Sequence, residues 1–512
     1  MSMRITNGMM VNSSLANIQV NKNQMNTLDT QLSTQKKINK PSEDPIVAIR
    51  ALRLRSSLDK VTQYLDKNIS DADSWLSVTE DALDEGYSVL TDLYNYCVQG
   101  STDSYSSAER KTIAESLNNL RQAFYSEGDV DYAGRYVFTG FATDVPLTYQ
   151  SDETAADVDY TITQKFTRDS LTIKSAYTNA YTNADIINLD AKYDSNTGRL
   201  ITPNVEAVHR LQLAYSDISV SEFKIVDYAG NEAQIEVDAQ GNVTTNGSLQ
   251  TGAGANVSIT TTVDPNYVPA EDEISINTTT GELLLGENVY KDIYENNAFS
   301  FTYRKDNFIK GDLNPTMYFD CIDNISKIEY NKEQENIEYN INFSQKLKIN
   351  TEASEAFDIY LGRNIDDLIT AVQNVLDLEE QVTQVNSMLT QEQYSDSDSQ
   401  VKLNDILEGL TKQLELAEDK MTAVYENGVG WMQGYQTTIS ECKADVGNRD
   451  TRLSLTKARL TEQKTNFKNL KSQNEDIDLE EVVVNYSAAE LVYNASLTAS
   501  ARSVQQTLLD FL

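Results

Sequence analysis

The sequence predicts an α+β protein: a long antiparallel helical bundle or coiled coil formed by the N- and C-terminal segments, with a central antiparallel β-rich insertion. Three observations predict it. The prolines fall only at 41, 45, 146, 203, 265, 269 and 315, which leaves 46–145 and everything after 315 free of helix breakers. Both free stretches carry apolar residues at helical spacing. Between them, from about 141 to 355, the texture changes to short runs of alternating apolar and polar residues separated by Gly or Asn-Gly turns.

Taken in order, residues 1–40 place Val11, Leu15, Ile18, Met25, Leu28 and Leu32 on one broad helical face, with Asn, Gln, Thr and Ser around the rest. A lone helix cannot bury such a stripe. At 38–50 the chain reads INKPSEDPIVAIR. Pro41 biases Lys40 away from helical backbone and so ends the first helix. Ser42 or Asp44 can cap a second helix, and Pro45 fits its donor-free first turn. Pro41, Ser42, Asp44 and Pro45 are therefore expected to build an elbow. Beyond it Leu58, Val61, Leu65, Ala72, Trp75, Ala82, Val89 and Leu93 keep one apolar stripe, predicting a helix over about 46–97, roughly 75 Å long. Ile113, Leu117, Leu120 and Phe124 predict another, after the polar GSTDSYSS with its several capping side chains.

The strand texture resides in VDYTITQKFT, FKIVDYAGNEAQIEVDAQGNVTTNG, ANVSITTTV, EISINTTTGELLL and FSFTYRKDNF. Helical spacing returns at Leu368, Val372, Val375 and Leu376, again near Leu403, and then as Val446, Leu453, Leu460 and Phe467, which recur every seven positions. Ordinary bundle packing needs the same spacing, so this fixes helix without fixing oligomer. The last segment puts Val482, Tyr486, Ala489 and Tyr493 on one side among Ala and Ser, and ends in apolar Leu508, Leu509 and Phe511. The two terminal helices are expected to pair with each other and then with further copies. Docking onto their own domain is the equally open alternative. The layout expected is 1–40 with 476–512, then 41–140 with 356–475, then 141–355 as the outer part.

Composition narrows the function. A net charge of -36 disfavours nucleic acid and anionic membranes, whose recognition rests on cationic side chains. The first 60 residues are the exception, basic against an acidic remainder, so an opposite-charge partner within the molecule or its copies is expected. Cys97, Cys321 and Cys442 have no metal-ligand or disulfide-framework spacing. No apolar run approaches the ~20 residues of a membrane span, and the first residues carry no secretory-signal core. His209 is the only histidine, which removes His-based triads and multi-His metal sites. DSDSQV at 396–401 starts like a calcium loop, but Val401 stands where the turn glycine is needed. No catalytic, cofactor-binding or metal-ligating residue is expected.

Several segments carry a family resemblance: MRIT from Met3, LSTQKKINKPSEDPIVA at 32–48, YLDKNISDADSWLSVTEDAL at 64–83, GRYVFTGF at 134–141, DVGNRDTRLSLTKARL at 445–460 and the terminal LLDFL. Together they resemble the bacterial flagellin superfamily, and within it the members at the junction of hook and filament. The run Pro41-Ser42-Glu43-Asp44-Pro45 is the junction form, where filament flagellins carry an alanine- and aspartate-rich stretch. The resemblance implies a structural protein exported unfolded without a cleaved signal peptide, held at its C-terminal helices by an export chaperone. It implies a ring of copies between a neighbouring hook-associated protein and flagellin, the terminal helices forming the inner tube. A filament flagellin with an enlarged outer domain is the alternative, and an exported adhesin or enzyme acting through the insertion is a remote one.

Overall fold

A computed structural model describes residues 7–102, 105–189, 192–193, 200–227, 229–237, 243–251, 254–296 and 299–509. Helices α1 (Asn7–Thr34), α2 (Pro45–Gln63), α3 (Ser70–Gly100) and α4 (Ser107–Ser126) come first, with a π-helical turn over Tyr64–Ile69 between α2 and α3. The strands follow: β1 (Asp131–Tyr132), β2 (Arg135–Tyr136), β3 (Tyr160–Phe166), β4 (Thr172–Thr178), and after α5 (Asn183–Ile187) come β5 (Asn204–Gln212), β6 (Ser219–Asp227), β7 (Glu232–Val237) and β8 (Val243–Gly247). Next are β9 (Ser258–Thr262), β10 (Glu273–Asn277), β11 (Glu282–Leu285), α6 (Glu287–Asn296), β12 (Phe299–Lys305), β13 (Asp320–Asp323), β14 (Ile328–Tyr330), β15 (Glu338–Asn342) and β16 (Gln345–Lys348). The chain closes with α7 (Ala353–Ala356), α8 (Ile359–Leu389), α9 (Ser397–Glu475) and α10 (Leu479–Leu509).

Contacts divide the chain into two compact units, one of Met1–Asp73, Tyr339–Leu347 and Thr451–Leu512, the other of Ser74–Glu338 and Lys348–Asp450. Among the described residues the main elements of the first unit are helices and the β15–β16 hairpin. Leu453 and Leu460 of the seven-residue repeat are fully buried and Phe467 half-buried. The rod expected over 46–97 is interrupted by the π turn, and its buried positions step by eight residues there, from Val61 to Ile69. One inserted residue re-phases the stripe. At the turn Tyr64 meets Phe343 of the hairpin edge-on at 5.4 Å, and Asn68 Nδ2 donates to Asn340 O at 2.8 Å.

The second unit holds two sheets, of order β4-β5-β11-β10-β9 and β14-β13-β3-β12-β6-β7-β8. The five sequence segments with strand texture all fall on strands, whereas β4, β5, β13 and β14 had no clean alternation. Among the described residues the strand pairs of the insertion are antiparallel with one exception. β9 and β10 pair in parallel, because the connection through Pro265 and Pro269 carries the chain back to the same end before β10 begins. The β10–β11 turn closes on Gly281 at φ +64, where a Cβ would lie 1.9 Å from Tyr215 O, so only glycine fits. Buried Gln164 joins the layers: its Oε1 accepts from Ala214 N at 3.0 Å and Tyr303 Oη at 2.6 Å, and its Nε2 donates to Tyr360 Oη on α8 at 3.1 Å.

Charges are buried where the five-stranded sheet meets the long helices. Arg210 on β5 reaches Glu282 on β11 and Asp367 on α8, both at 2.6 Å, and Lys174 on β4 reaches Glu282 at 2.6 Å. Burial alone would push the Glu282 carboxyl up, but Lys174 and Arg210 outweigh it and hold it at about 2. Lys420 on α9 donates to Ser175 O at 2.8 Å and lies 5.0 Å over the Tyr177 ring, and burial beside Lys174 and Arg210 lowers its ammonium to about 8.

Candidate assembly site

The elbow and the terminal helices lie in the first unit. α1 ends at Thr34, earlier than the Lys40 that Pro41 implies. Gln35 adopts φ +59, the left-handed conformation that stops a helix, and its carbonyl accepts from Ile477 N at 3.3 Å. Pro41 instead occupies the second position of a turn closed by Glu43 N donating to Lys40 O at 3.0 Å. Of the two possible caps Asp44 is used: its Oδ1 accepts from Ile46 N at 3.0 Å and Val47 N at 3.1 Å, with Pro45 at the first helical position. Ser42 caps nothing, and Glu43 accepts from Asn39 N at 2.8 Å.

The elbow has a counterpart that sequence reading missed, the short link between α9 and α10. Lys37 N donates to Glu475 O at 2.7 Å, and Lys36 forms a β-bridge and an ion pair with Asp476. Buried Glu475 takes a two-pronged bond from Arg55, Nε at 2.8 Å and Nη2 at 2.6 Å. Asp478 then accepts from Glu480 N at 3.1 Å at the start of α10. Two chain reversals are thus stapled together, and both terminal helices leave from that staple.

α1 and α10 run antiparallel along a single seam. The inward positions on α1 are Val11, Ser14, Ile18, Asn21, Met25, Leu28 and Leu32, a strict three-four alternation, and on α10 they are Val482, Tyr486, Ala489, Tyr493, Ser496 and Ser500. Asn21 Nδ2 donates to Ser496 Oγ at 2.8 Å across it. So Ile18, Met25, Leu28, Leu32, Val482, Tyr486, Ala489 and Tyr493 come together within one chain. Leu15 does not: it points outward at 58% exposure. The side chains of Leu508 and Leu509, and all of Phe511, lie outside the described residues. The polar seam positions Ser14, Asn21, Ser496 and Ser500 were not anticipated; the three-four spacing is the signal that finds them.

The seam uses one side of each helix. On the other sides Met9, Val20, Val484 and Leu491 are 59%, 62%, 67% and 71% exposed. A helix that is apolar on two faces and covered on one is incomplete alone.

Other chemistry is sparse. Among the described residues no group of three or more His, Cys, Asp or Glu is arranged to hold a metal, and no helix is long and apolar enough to cross a membrane. Asp396 of DSDSQV accepts from Ser399 N at 2.9 Å, which starts α9. His209 stacks on Tyr290 at 3.5 Å and faces Glu287 at 3.4 Å. Burial pushes the Cys97 and Cys321 thiols up to about 12 and Cys442 to about 11, which removes thiolate reactivity near neutral pH. A concavity against α9 is lined by Ser454, Lys457, Ala458, Thr461 and Glu462 of that one helix, an open trough without an enclosing wall.

A protein whose two ends close on each other in a helical seam, with a β-rich middle between them, is defined by its termini. Residues 5–143 match the bacterial flagellin N-terminal helical region, and residues 430–512 match the bacterial flagellin C-terminal helical region. Both ends of the chain are thus similar to the helical ends of bacterial flagellins. Among its relatives, a flagellin of Clostridium tyrobutyricum is 28% identical over 118 residues, 23% of this chain and 31% of that protein. Flagellar hook-associated protein 3 of Salmonella typhimurium is 27% identical over 143 residues, 28% of this chain and 45% of that protein. The match spans less than half of either relative. Among solved structures, a putative flagellar hook-associated protein of Vibrio parahaemolyticus aligns at 12% identity and TM-score 0.35, covering 85% of this chain and 100% of that one. Flagellar hook-associated protein 3 of Legionella pneumophila aligns at 12% identity and TM-score 0.29, covering 82% and 96%. These overlaps are too loose to bear on the fold of this chain.

Proposed function

We propose that this protein is a structural subunit of the bacterial flagellum that self-assembles at the junction between hook and filament. One observation carries the reading: the two flagellin-type ends pair in a seam that leaves a second apolar face on each helix uncovered. Further copies supply that cover. In this reading 1–40 with 476–512 form the inner layer, 41–140 with 356–475 the surrounding bundle, and 141–355 the outward part. Leu15 joins neighbouring copies directly, while the seam residues act by holding the hairpin that presents it. The elbow over Pro41, Ser42, Asp44 and Pro45 joins the layers, with Asp44 and Pro45 starting the second helix and Gln35 ending the first.

The partners are other copies in a ring, a neighbouring hook-associated protein, flagellin, and an export chaperone engaging the C-terminal helices with Leu508, Leu509 and Phe511. The location is extracellular, reached without a cleaved signal peptide, and the role is structural, with no catalysis. A deletion strain tests this. Electron microscopy is expected to show hooks without filaments while flagellin accumulates in the medium, and intact filaments overturn the reading. The flagellin match at 28% favours a second reading, a filament subunit. Gold-labelled antibody separates the two: label confined to the hook end supports the junction, and label along the whole filament supports the second reading.

A further inference from the structure

α2 has an inward face and an outward one. Inward, Ala48, Ala51 and Val61 are buried and Arg55 is spent on Glu475. Outward, Ile46 and Ile49 are 64% and 52% exposed, and Arg50 and Arg53 stand exposed beside them with no ion pair among the described residues. Ile46, Ile49 and Arg53 continue to Ser56 and Lys60 at three-four spacing, the geometry of a helix seam with nothing against it. This face is apolar and positive.

α10 carries the complement. Opposite its seam with α1, Glu480, Val484, Ser487 and Leu491 follow the same three-four spacing, and Glu481 lies at its border. Glu480 and Glu481 are exposed and likewise form no ion pair among the described residues. This face is apolar and negative at its start.

We infer that the outward face of α2 on one copy docks against the outward face of α10 on a second copy, Arg50 and Arg53 meeting Glu480 and Glu481 while Ile46 and Ile49 meet Val484 and Leu491. Charge selects the pairing. Either face against itself would bring like charges together, which is unfavourable at a helix interface. A two-fold dimer through one face is thereby disfavoured, and the contact is heterologous. Repeated heterologous contacts close into a ring or wind into an open helix. The inference rests on the self-assembly proposed above and supplies its contact.

The alternative for Glu480 and Glu481 is purely local, as acidic residues favoured in the first turn of α10. The experiment separates the two with full-length protein expressed in the deletion strain. R50E/R53E alone and E480K/E481K alone are each expected to abolish filaments, because each places like charges opposite each other. The two variants produced together restore matched contacts in both directions, so filaments return, and the quadruple variant restores them by itself. Circular dichroism of the purified variants checks that each remains helical. Filaments retained by both single reversals overturn this contact and leave the proposed function standing. Filaments lost with either reversal and not restored by the combinations also overturn it, assigning these charges to the fold, a chaperone or another neighbour. If the wild-type gene itself restores no filaments, the self-assembly reading fails first.

Discussion

The two units of this chain differ most in charge. The unit of the chain ends holds 18 Lys and Arg against 15 Asp and Glu, whereas the other holds 24 against 63, so the acidity belongs wholly to the second. They differ also in how they bury apolar surface. Among the described residues no side chain of α1 is buried, and on α10 only Val482 and Ala489 reach 9% exposure. The second unit fully buries Trp75, Phe124, Phe138, Phe166, Phe223, Phe301 and Tyr303. A balanced unit with uncovered apolar faces is suited to being covered by neighbours, and an acidic unit with a filled core is suited to standing in water.

Stability should divide the same way, and the experiment is convenient because Trp75 and Trp431 both lie in the acidic unit. Tryptophan fluorescence therefore follows that unit, and hydrogen exchange follows both. The largest expected effect is Glu282→Gln, which leaves Arg210 and Lys174 without their shared buried carboxylate and should cost about 3–5 kcal/mol in the fluorescence transition. Exchange in α1 and α10 should not change. If it accelerates equally, the units are one cooperative system and the comparison fails. Acid sharpens the point. Glu282 is held at about 2, below its ordinary value near 4.5, so its stabilisation is complete above about pH 4.5 and lost as pH falls towards 2. Lys420 works oppositely. Its folded value of about 8 lies below the ordinary 10.5, so the unfolded chain binds the extra proton and stability rises with pH between those values. A flat fluorescence-monitored stability over both windows would remove the buried cluster as the anchor of the sheet.

Leu28→Asp should break the other side of the comparison. A charge in the α1–α10 seam should cost about 1–3 kcal/mol there, opening both helices to rapid exchange while the fluorescence transition keeps its midpoint. A shifted midpoint would mean that the seam supports the acidic unit.

The helices were legible in the sequence because each buries a stripe, and periodicity reports a stripe directly. Leu453 and Leu460 declared themselves in this way. The strands with clean alternation were equally plain, while β4 and β5 were hidden because their polar positions, Lys174 and Arg210 among them, face a buried carboxylate instead of solvent. A buried ion pair reads as surface in one dimension. The terminal seam was half legible. The apolar members of its faces are evident in the sequence, but Leu15 falls on the same broad stripe, which does not reveal which edge meets the partner. The staple between the elbow and the 476–478 link was invisible, since it joins backbone groups far apart in sequence.

Asp44→Ala should cost about 1 kcal/mol by leaving the amides of Ile46 and Val47 without their acceptor. Urea unfolding of the terminal unit, followed by exchange in α2, measures it. Ser42→Ala should have no effect, because Ser42 caps nothing. A reversed pair of results would restore Ser42 as the cap.

The smallest effects decide what makes the elbow. If Pro41 sets it, Pro41→Ala should let α1 run on to Lys40, and Gln35 should be replaceable without consequence. The geometry says otherwise. Gln35 holds a left-handed backbone that strains a residue with a Cβ, so Gln35→Gly trades that strain against the greater freedom of glycine in the unfolded chain, a net gain of a few tenths to about 1 kcal/mol. Pro41 sits in a turn that alanine can also adopt, and Pro41→Ala should lose about 0.4–1 kcal/mol through the unfolded chain alone, with α1 still ending at Thr34. The two substitutions therefore move stability in opposite directions. Amide exchange at residues 35–40 reads the outcome, because new protection there in Pro41→Ala would mean that the helix had extended through the staple and that proline, after all, holds the bend.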